Sequence, residues 1–150
     1  MILVIGIGNP DRGDDAVGLL VARRIREITA PGDVSVIELI GDQLGLLDAW
    51  NGARDVYVVD AVCSGGPVGA VYRFDAADSL DARFTHRGTH TFSLADVVSL
   101  GRALGRLPVH LVGYGIEVET FELGAPVSAP VEAAVGITST LLAAELKAGG

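Results

Sequence analysis

Short apolar blocks alternate with polar turns along the chain, and the spacing inside the blocks switches between continuous and helical. Ile2 to Ile5 is a continuous apolar run, the pattern of a strand buried on both faces. It leads into the turn Gly6-Ile7-Gly8-Asn9-Pro10-Asp11-Arg12-Gly13-Asp14-Asp15. Val17, Leu20, Val21, Ala22, Ile25 and Ile28 then recur at helical spacing, with Arg23, Arg24, Arg26 and Glu27 on the other face. Pro31-Gly32 stops this first helix, Val34 to Ile40 reads as a second strand, and Gln43 to Trp50 as a short second helix. Val56 to Val59 reads as a strand buried on both faces, ending at Asp60 and followed by the turn Ser64-Gly65-Gly66-Pro67.

Farther along, Val68 to Phe74 predicts another strand, Asp75 to Arg87 is irregular, and Phe92 to Leu104 has amphipathic helical spacing, with His90 just ahead of it. Val109 to Gly115 is a further strand, which Val118 to Leu123 extends or pairs with, and Ala129 to Leu146 is a terminal helix with Ser128 as its N-cap. Strands alternating with helices predict an α/β fold. The expected architecture is a three-layer α/β/α sandwich around a mostly parallel, or mixed, twisted sheet of about five strands.

Composition narrows the class. The 150 residues show no compositional break, so one domain spanning 1–150 is expected. The 49% hydrophobic content is spread in short runs, none approaching the roughly 18 uninterrupted apolar residues of a membrane span, and no basic leader precedes the first strand. A soluble, cytoplasmic protein with no membrane partner is the expectation. Cys63 is the only cysteine, which excludes an internal disulfide and reads as a free buried thiol. Nineteen acids against eleven bases give a net charge of −8 without a basic cluster, so no nucleic-acid partner is expected.

The first turn carries the chemistry. A dinucleotide fingerprint needs a third glycine where Asp11 stands, and Asp11, Asp14 and Asp15 would repel a pyrophosphate from the helix that receives it. No Gly-Lys-Ser/Thr follows, so a P-loop is excluded as well. A metal site fits better. Asp14 or Asp15 after the first strand and Asp60 after the third would meet at one edge of a parallel sheet, with His90 on a nearby loop. Two carboxylates and an imidazole suit divalent Ni, Zn, Mn or Fe and leave coordination positions open.

Each residue also has a plainer reading. Asp14 reads as a cap of the first helix. The adjacent Asp15 adds repulsion that a cap does not need, and Asp60 among apolar residues is costly without a partner. His86 and His90 have the spacing of a helical zinc pair, but the Glu after the first His is missing and Gly88 lies between them, which argues against a metalloprotease helix. His86 reads as a solvated loop residue and His110 as a hydrogen-bonded core histidine.

Three segments carry a resemblance: Gly6-Ile7-Gly8-Asn9-Pro10 followed by Asp14-Asp15-Ala16-Val17-Gly18, then Val59-Asp60-Ala61, then Thr89-His90 ahead of Leu94-Ala95-Asp96-Val97. With them the chain resembles the hydrogenase maturation proteases nearly end to end, including Gly113-x-x-x-Glu117 and Glu122-Leu123-Gly124-x-Pro126-x-Ser128. The resemblance implies an endopeptidase that removes a C-terminal extension from the large-subunit precursor of a nickel-iron hydrogenase after nickel insertion. It also implies that Asp15, Asp60 and His90 are the metal-contacting, catalytic positions, and that the nickel is supplied by the substrate. Val118 stands where a proline often follows the glutamate, and Gly88-Thr89-His90 departs from a serine-containing variant; both bear on substrate preference.

Two other readings compete. Peptidyl-tRNA hydrolases are similar over residues 4 to 10, but the match stops at Pro10 and the acidic charge suits tRNA poorly. A non-cleaving module that checks the nickel centre would present the same residues.

Overall fold

The computed structural model describes residues 2–41, 43–75, 94–119 and 122–149. The chain folds as β1 (Ile2–Gly8), α1 (Val17–Ile28), β2 (Val34–Ile40), α2 (Leu46–Ala49), β3 (Asp55–Val62), β4 (Val71–Asp75), α3 (Leu94–Leu104), β5 (His110–Glu117) and α4 (Ala129–Gly149). Short 3-10 turns at Gly13–Ala16 and Gln43–Gly45 lead into α1 and α2. The five strands form one sheet in the order β2-β1-β3-β5-β4. The β1/β2, β1/β3 and β3/β5 pairs are parallel, and β4 is antiparallel to β5. The expected mixed α/β sheet of five strands is therefore the one observed.

Alternation along the strands divides the core in two. Leu3, Ile5, Val56, Val58 and Leu111 pack with Leu46, Trp50, Leu94 and Val97 beneath α2 and α3. Val4, Tyr57, Val59, Val112 and Tyr114 pack with Val21, Ile25, Val131 and Leu142 beneath α1 and α4. Helices thus cover both faces, as a largely parallel sheet requires.

Several expected boundaries shift. α1 occupies the predicted residues but buries Leu19, while Ile28 is half exposed. β3 continues past Asp60 to Val62, because β5 itself runs on to Glu117 and supplies the pairs Ala61 with Ile116 and Val62 with Glu117. β4 starts at Val71, because Pro67 to Ala70 is a turn in which Ala70 N–H donates to the Pro67 carbonyl at 3.0 Å and Gly69 takes φ +91°. Val118 leaves the sheet though it stays buried.

α4 is long and apolar enough by composition to cross a membrane, yet it packs on α1 and β5, burying Val131, Ala134, Thr138, Leu142 and Leu146. Its Glu145 accepts from the Tyr114 hydroxyl and from Arg73, whose Nε lies 3.2 Å away, which fastens the helix to both β5 and β4. Across the sheet, Trp50 Nε1 donates to the Arg106 carbonyl at 2.9 Å and joins α2 to the segment after α3.

Candidate functional site

β1 delivers the chain to the carboxyl edge of the sheet, where residues 9–16 fold back on themselves. Asn9 N–H donates to the Asp15 carbonyl at 3.2 Å, Asp15 N–H to the Arg12 carbonyl at 3.1 Å, and Asp11 N–H to Asn9 Oδ1 at 3.0 Å. The glycines make this possible by close approach. A Cβ on Gly8 would lie 2.2 Å from the Asp15 carbonyl oxygen, and one on Gly18 would lie 2.2 Å and 2.4 Å from the carbonyl oxygens of Ile7 and Val59. The Gly-x-Gly pattern therefore seats the turn and the start of α1 directly on the strands, a packing role that calls for no phosphate.

Asp14 does not cap a helix. Neither the 3-10 turn nor α1 has a side-chain N-cap bond. Asp14 is instead fully buried and accepts from Glu119 N–H at 2.9 Å, Ser128 N–H at 2.7 Å and the Ser128 hydroxyl at 3.0 Å. It ties the first turn to the segment between β5 and α4. Ser128 does precede α4, and its carbonyl accepts from Glu132 N–H at 2.9 Å, but its hydroxyl is directed to Asp14. A buried carboxylate with three donors is a stable arrangement, whereas one without them would not be.

Asp15, the next residue, is 1% exposed, and its 3-10 turn lies against β3. Asp60 is 4% exposed, on the face of β3 that also carries Val58 and Val62. Its Oδ1 accepts from Ala61 N–H at 2.8 Å and its Oδ2 from Gln43 Nε2 at 3.0 Å. Because β1 and β3 are adjacent and parallel, the turn after β1 and the end of β3 meet at the same sheet edge, the location where open α/β sheets collect ligands. The edge is strongly acidic and suited to a cation.

His90 and His86 lie outside the described residues. Among the described residues, no group of three His, Cys, Asp or Glu side chains is arranged to hold a metal. His110 departs from the expected core role. It opens β5 at the opposite edge, partly exposed, with Nδ1 3.7 Å from Asp55 and Nε2 3.9 Å from Asp75, and its ring meets Tyr57 edge-on at 5.9 Å. Cys63 is a free cysteine, partly exposed where full burial was expected.

Two further residues belong to this edge. Gln43, 2% exposed, holds Asp60 from the turn after β2. The spacing of apolar residues says nothing about it, although its position just past a strand's carboxyl end was a usable signal. Glu117, 1% exposed, accepts from Ser64 N–H at 2.8 Å, from the Ser64 hydroxyl and from the Tyr72 hydroxyl at 3.1 Å, which pins the loop that leaves β3. A Cβ on Gly66 would lie 3.0 Å from Glu117 Oε1 and 2.4 Å from the Tyr72 oxygen, so that loop is fitted closely to the carboxylate.

Comparison with known proteins agrees with this architecture. The HycI hydrogenase maturation protease family model matches residues 19–144. Among solved structures, the chain is similar to the [NiFe] hydrogenase maturation protease HycI from Thermococcus kodakarensis KOD1, at 29% identity over 97% of this chain and 92% of that one, with a TM-score of 0.71. It is also similar to the hydrogenase maturating endopeptidase HybD from E. coli, at 25% identity over 99% of this chain and 93% of that one, with a TM-score of 0.82. The hydrogenase 2 maturation peptidase from Thaumarchaeota archaeon SCGC_AB-539-E09, at 23% identity over 97% of both chains and a TM-score of 0.69, shares the fold. No curated protein matches the chain. With a family match that includes Asp60 and runs through most of the sheet, and a fold shared over nearly the whole length, the chain belongs to the hydrogenase maturation proteases, endopeptidases of hydrogenase processing.

Proposed function

We propose that this protein cleaves the C-terminal extension from a nickel-iron hydrogenase large-subunit precursor after nickel insertion, and that Asp15, Asp60 and His90 read the substrate's own nickel. The observation that supports this most is the pair of buried carboxylates, Asp15 and Asp60, at one edge of a rigid sheet. Buried carboxylates are costly unless hydrogen bonds or a cation compensate them, and oxygen donors of this kind accept divalent first-row metals.

Two carboxylates and one imidazole form a half-site. Such a set binds free metal modestly, whereas nickel already held by substrate thiolates completes its shell there. The precursor is then anchored with the peptide bond beside the metal close to the carboxylates. Metal and carboxylates polarise the carbonyl and orient water, so that hydrolysis proceeds without a covalent enzyme intermediate. Loading is thereby checked before cutting. A cytoplasmic setting accords with the single unpaired Cys63.

The deciding experiment mixes the purified protein with nickel-loaded and nickel-free precursor and follows intact mass. Loss of a C-terminal peptide from the loaded precursor alone, abolished by Asp60→Ala, is the expected result. Retention of the peptide in both tubes, with the loaded precursor still captured in a pull-down, would replace the protease reading with that of a recognition module. An ester or thioester adduct on the protein would exclude direct attack by water.

A further inference from the structure

Gln43 sits where a residue of the reaction should sit, and the family resemblance assigns it no role. β2 ends at Ile40, Gly41 turns with φ +103° while its N–H donates to the Gly8 carbonyl at 3.3 Å, and the 3-10 turn opens at Gln43. Leu46, Leu47 and Trp50 anchor the helix that follows in the core, so the backbone carrying Gln43 is fixed from both sides. The side chain is 2% exposed and its Nε2 donates to Asp60 Oδ2 at 3.0 Å. The amide orientation follows from chemistry, since turning Oε1 toward a carboxylate oxygen would oppose two acceptors. Oε1 is left buried with no hydrogen-bond partner among the described residues.

A buried acceptor without a donor is rare in folded proteins and calls for a specific explanation, such as a water, an ion or a functional partner. Here that acceptor shares a carbon with the nitrogen that holds Asp60, so it lies beside the carboxylate at the same edge. We propose that Gln43 is a positioning residue of the site with two tasks: its N–H orients the Asp60 carboxylate toward the metal, and its carbonyl oxygen accepts an N–H donor from the backbone of the docked precursor. The inference rests on the nickel-reading function proposed above.

The two tasks separate experimentally. Cd2+ alone, titrated calorimetrically into the protein without precursor, reads the first; KM for nickel-loaded precursor reads the second. Gln43→Met removes both groups and is expected to weaken Cd2+ binding and raise KM, each about tenfold or more, in line with the loss of residues that orient metal ligands. Gln43→Glu keeps an oxygen acceptor but replaces the donor to Asp60 Oδ2 with a second acceptor, so it is expected to shift Cd2+ affinity from the wild-type value and to raise KM less than Gln43→Met does.

A smaller rise in KM for Gln43→Glu than for Gln43→Met, with Cd2+ affinity displaced from wild type in both, cannot come from a purely structural glutamine, which would lower only the melting temperature. Wild-type Cd2+ affinity and KM in both folded variants would overturn the proposal. Failure of the wild type to bind Cd2+ or to cut loaded precursor is a separate result and would count against the parent reading.

Discussion

Asp14 and Ser128, 114 positions apart in the chain, are joined by two hydrogen bonds, one from the Ser128 N–H at 2.7 Å and one from its hydroxyl at 3.0 Å. With the third bond from Glu119 N–H, this makes Asp14 the point at which the first turn, the end of β5 and the start of α4 are held together. Its neighbour Asp15 is thereby set against β3 by a residue that needs no direct part in the chemistry.

Asp14→Ala is accordingly expected to destabilise the fold by about 2–4 kcal/mol, since bonds to a carboxylate are among the stronger ones and three part-buried donors would lose their acceptor together. Urea unfolding measures this. A change within about 0.5 kcal/mol, the range of an ordinary surface substitution, would show that the turn is held by its backbone bonds alone.

At Asp15 the expectation is chemical. Asp15→Glu keeps the charge and the carboxylate donors, so cleavage should remain within about tenfold of wild type. Asp15→Asn removes the charge and should reduce cleavage by about a hundredfold or more, the upper range for disturbing a metal-binding group. Equal activity of the two variants, both shown to be folded by circular dichroism, would remove Asp15 from the site.

The glycines offer a matched pair. Gly18→Ala would place a Cβ 2.2 Å from one backbone oxygen and 2.4 Å from another, neither of which can rotate away, and should cost about 2–3 kcal/mol or more. Gly136→Ala lies in the open on the exposed side of α4 and should stabilise the protein by about 0.4–1 kcal/mol. Thermal and chemical denaturation of the two variants should move in opposite directions; a shared direction would falsify the close-approach argument.

Alkaline stability depends on Tyr114. Burial first, and then its bond to the Glu145 carboxylate, push the phenol from 10.0 up to about 12. Because the folded value lies above the unfolded one, the stabilisation is complete below pH 10 and is lost as pH rises toward 12. Tyr114→Phe should flatten this slope in urea midpoints across that window. A residual slope is expected from Tyr57, whose phenol is also raised by burial and by Glu145. An unchanged slope in the variant would assign the alkaline loss to other groups.

Asp15 and Asp60 could be located from sequence because strand ends are visible in hydrophobic runs, and a parallel sheet brings those ends to one edge. The exact end of β3 could not, since three of its residues, Asp60, Ala61 and Val62, are paired only through β5, which lies some fifty positions later. The antiparallel direction of β4 was partly legible: residues 63–70 are too few for the crossover of a dozen or more residues that parallel pairing needs. Asp14 was misassigned because helix capping is local and readable, whereas its actual donors come from residues 119 and 128. Gln43 escaped notice because a neutral amide has no spacing signature and its partner is 17 positions away on another strand.

The hollow at the amino-terminal edge of the sheet is lined by Ile2 and Val34 together with Ala143, Leu146 and Lys147, so the start of β1 and the last turns of α4 lie side by side, at the end of the sheet opposite the carboxylates. A fluorophore or a surface linkage attached to the Lys147 amine therefore extends away from Asp15 and Asp60. Lys147 is the one lysine of the sequence, so amine chemistry couples the protein to a surface at this edge with its acidic edge turned to the solution.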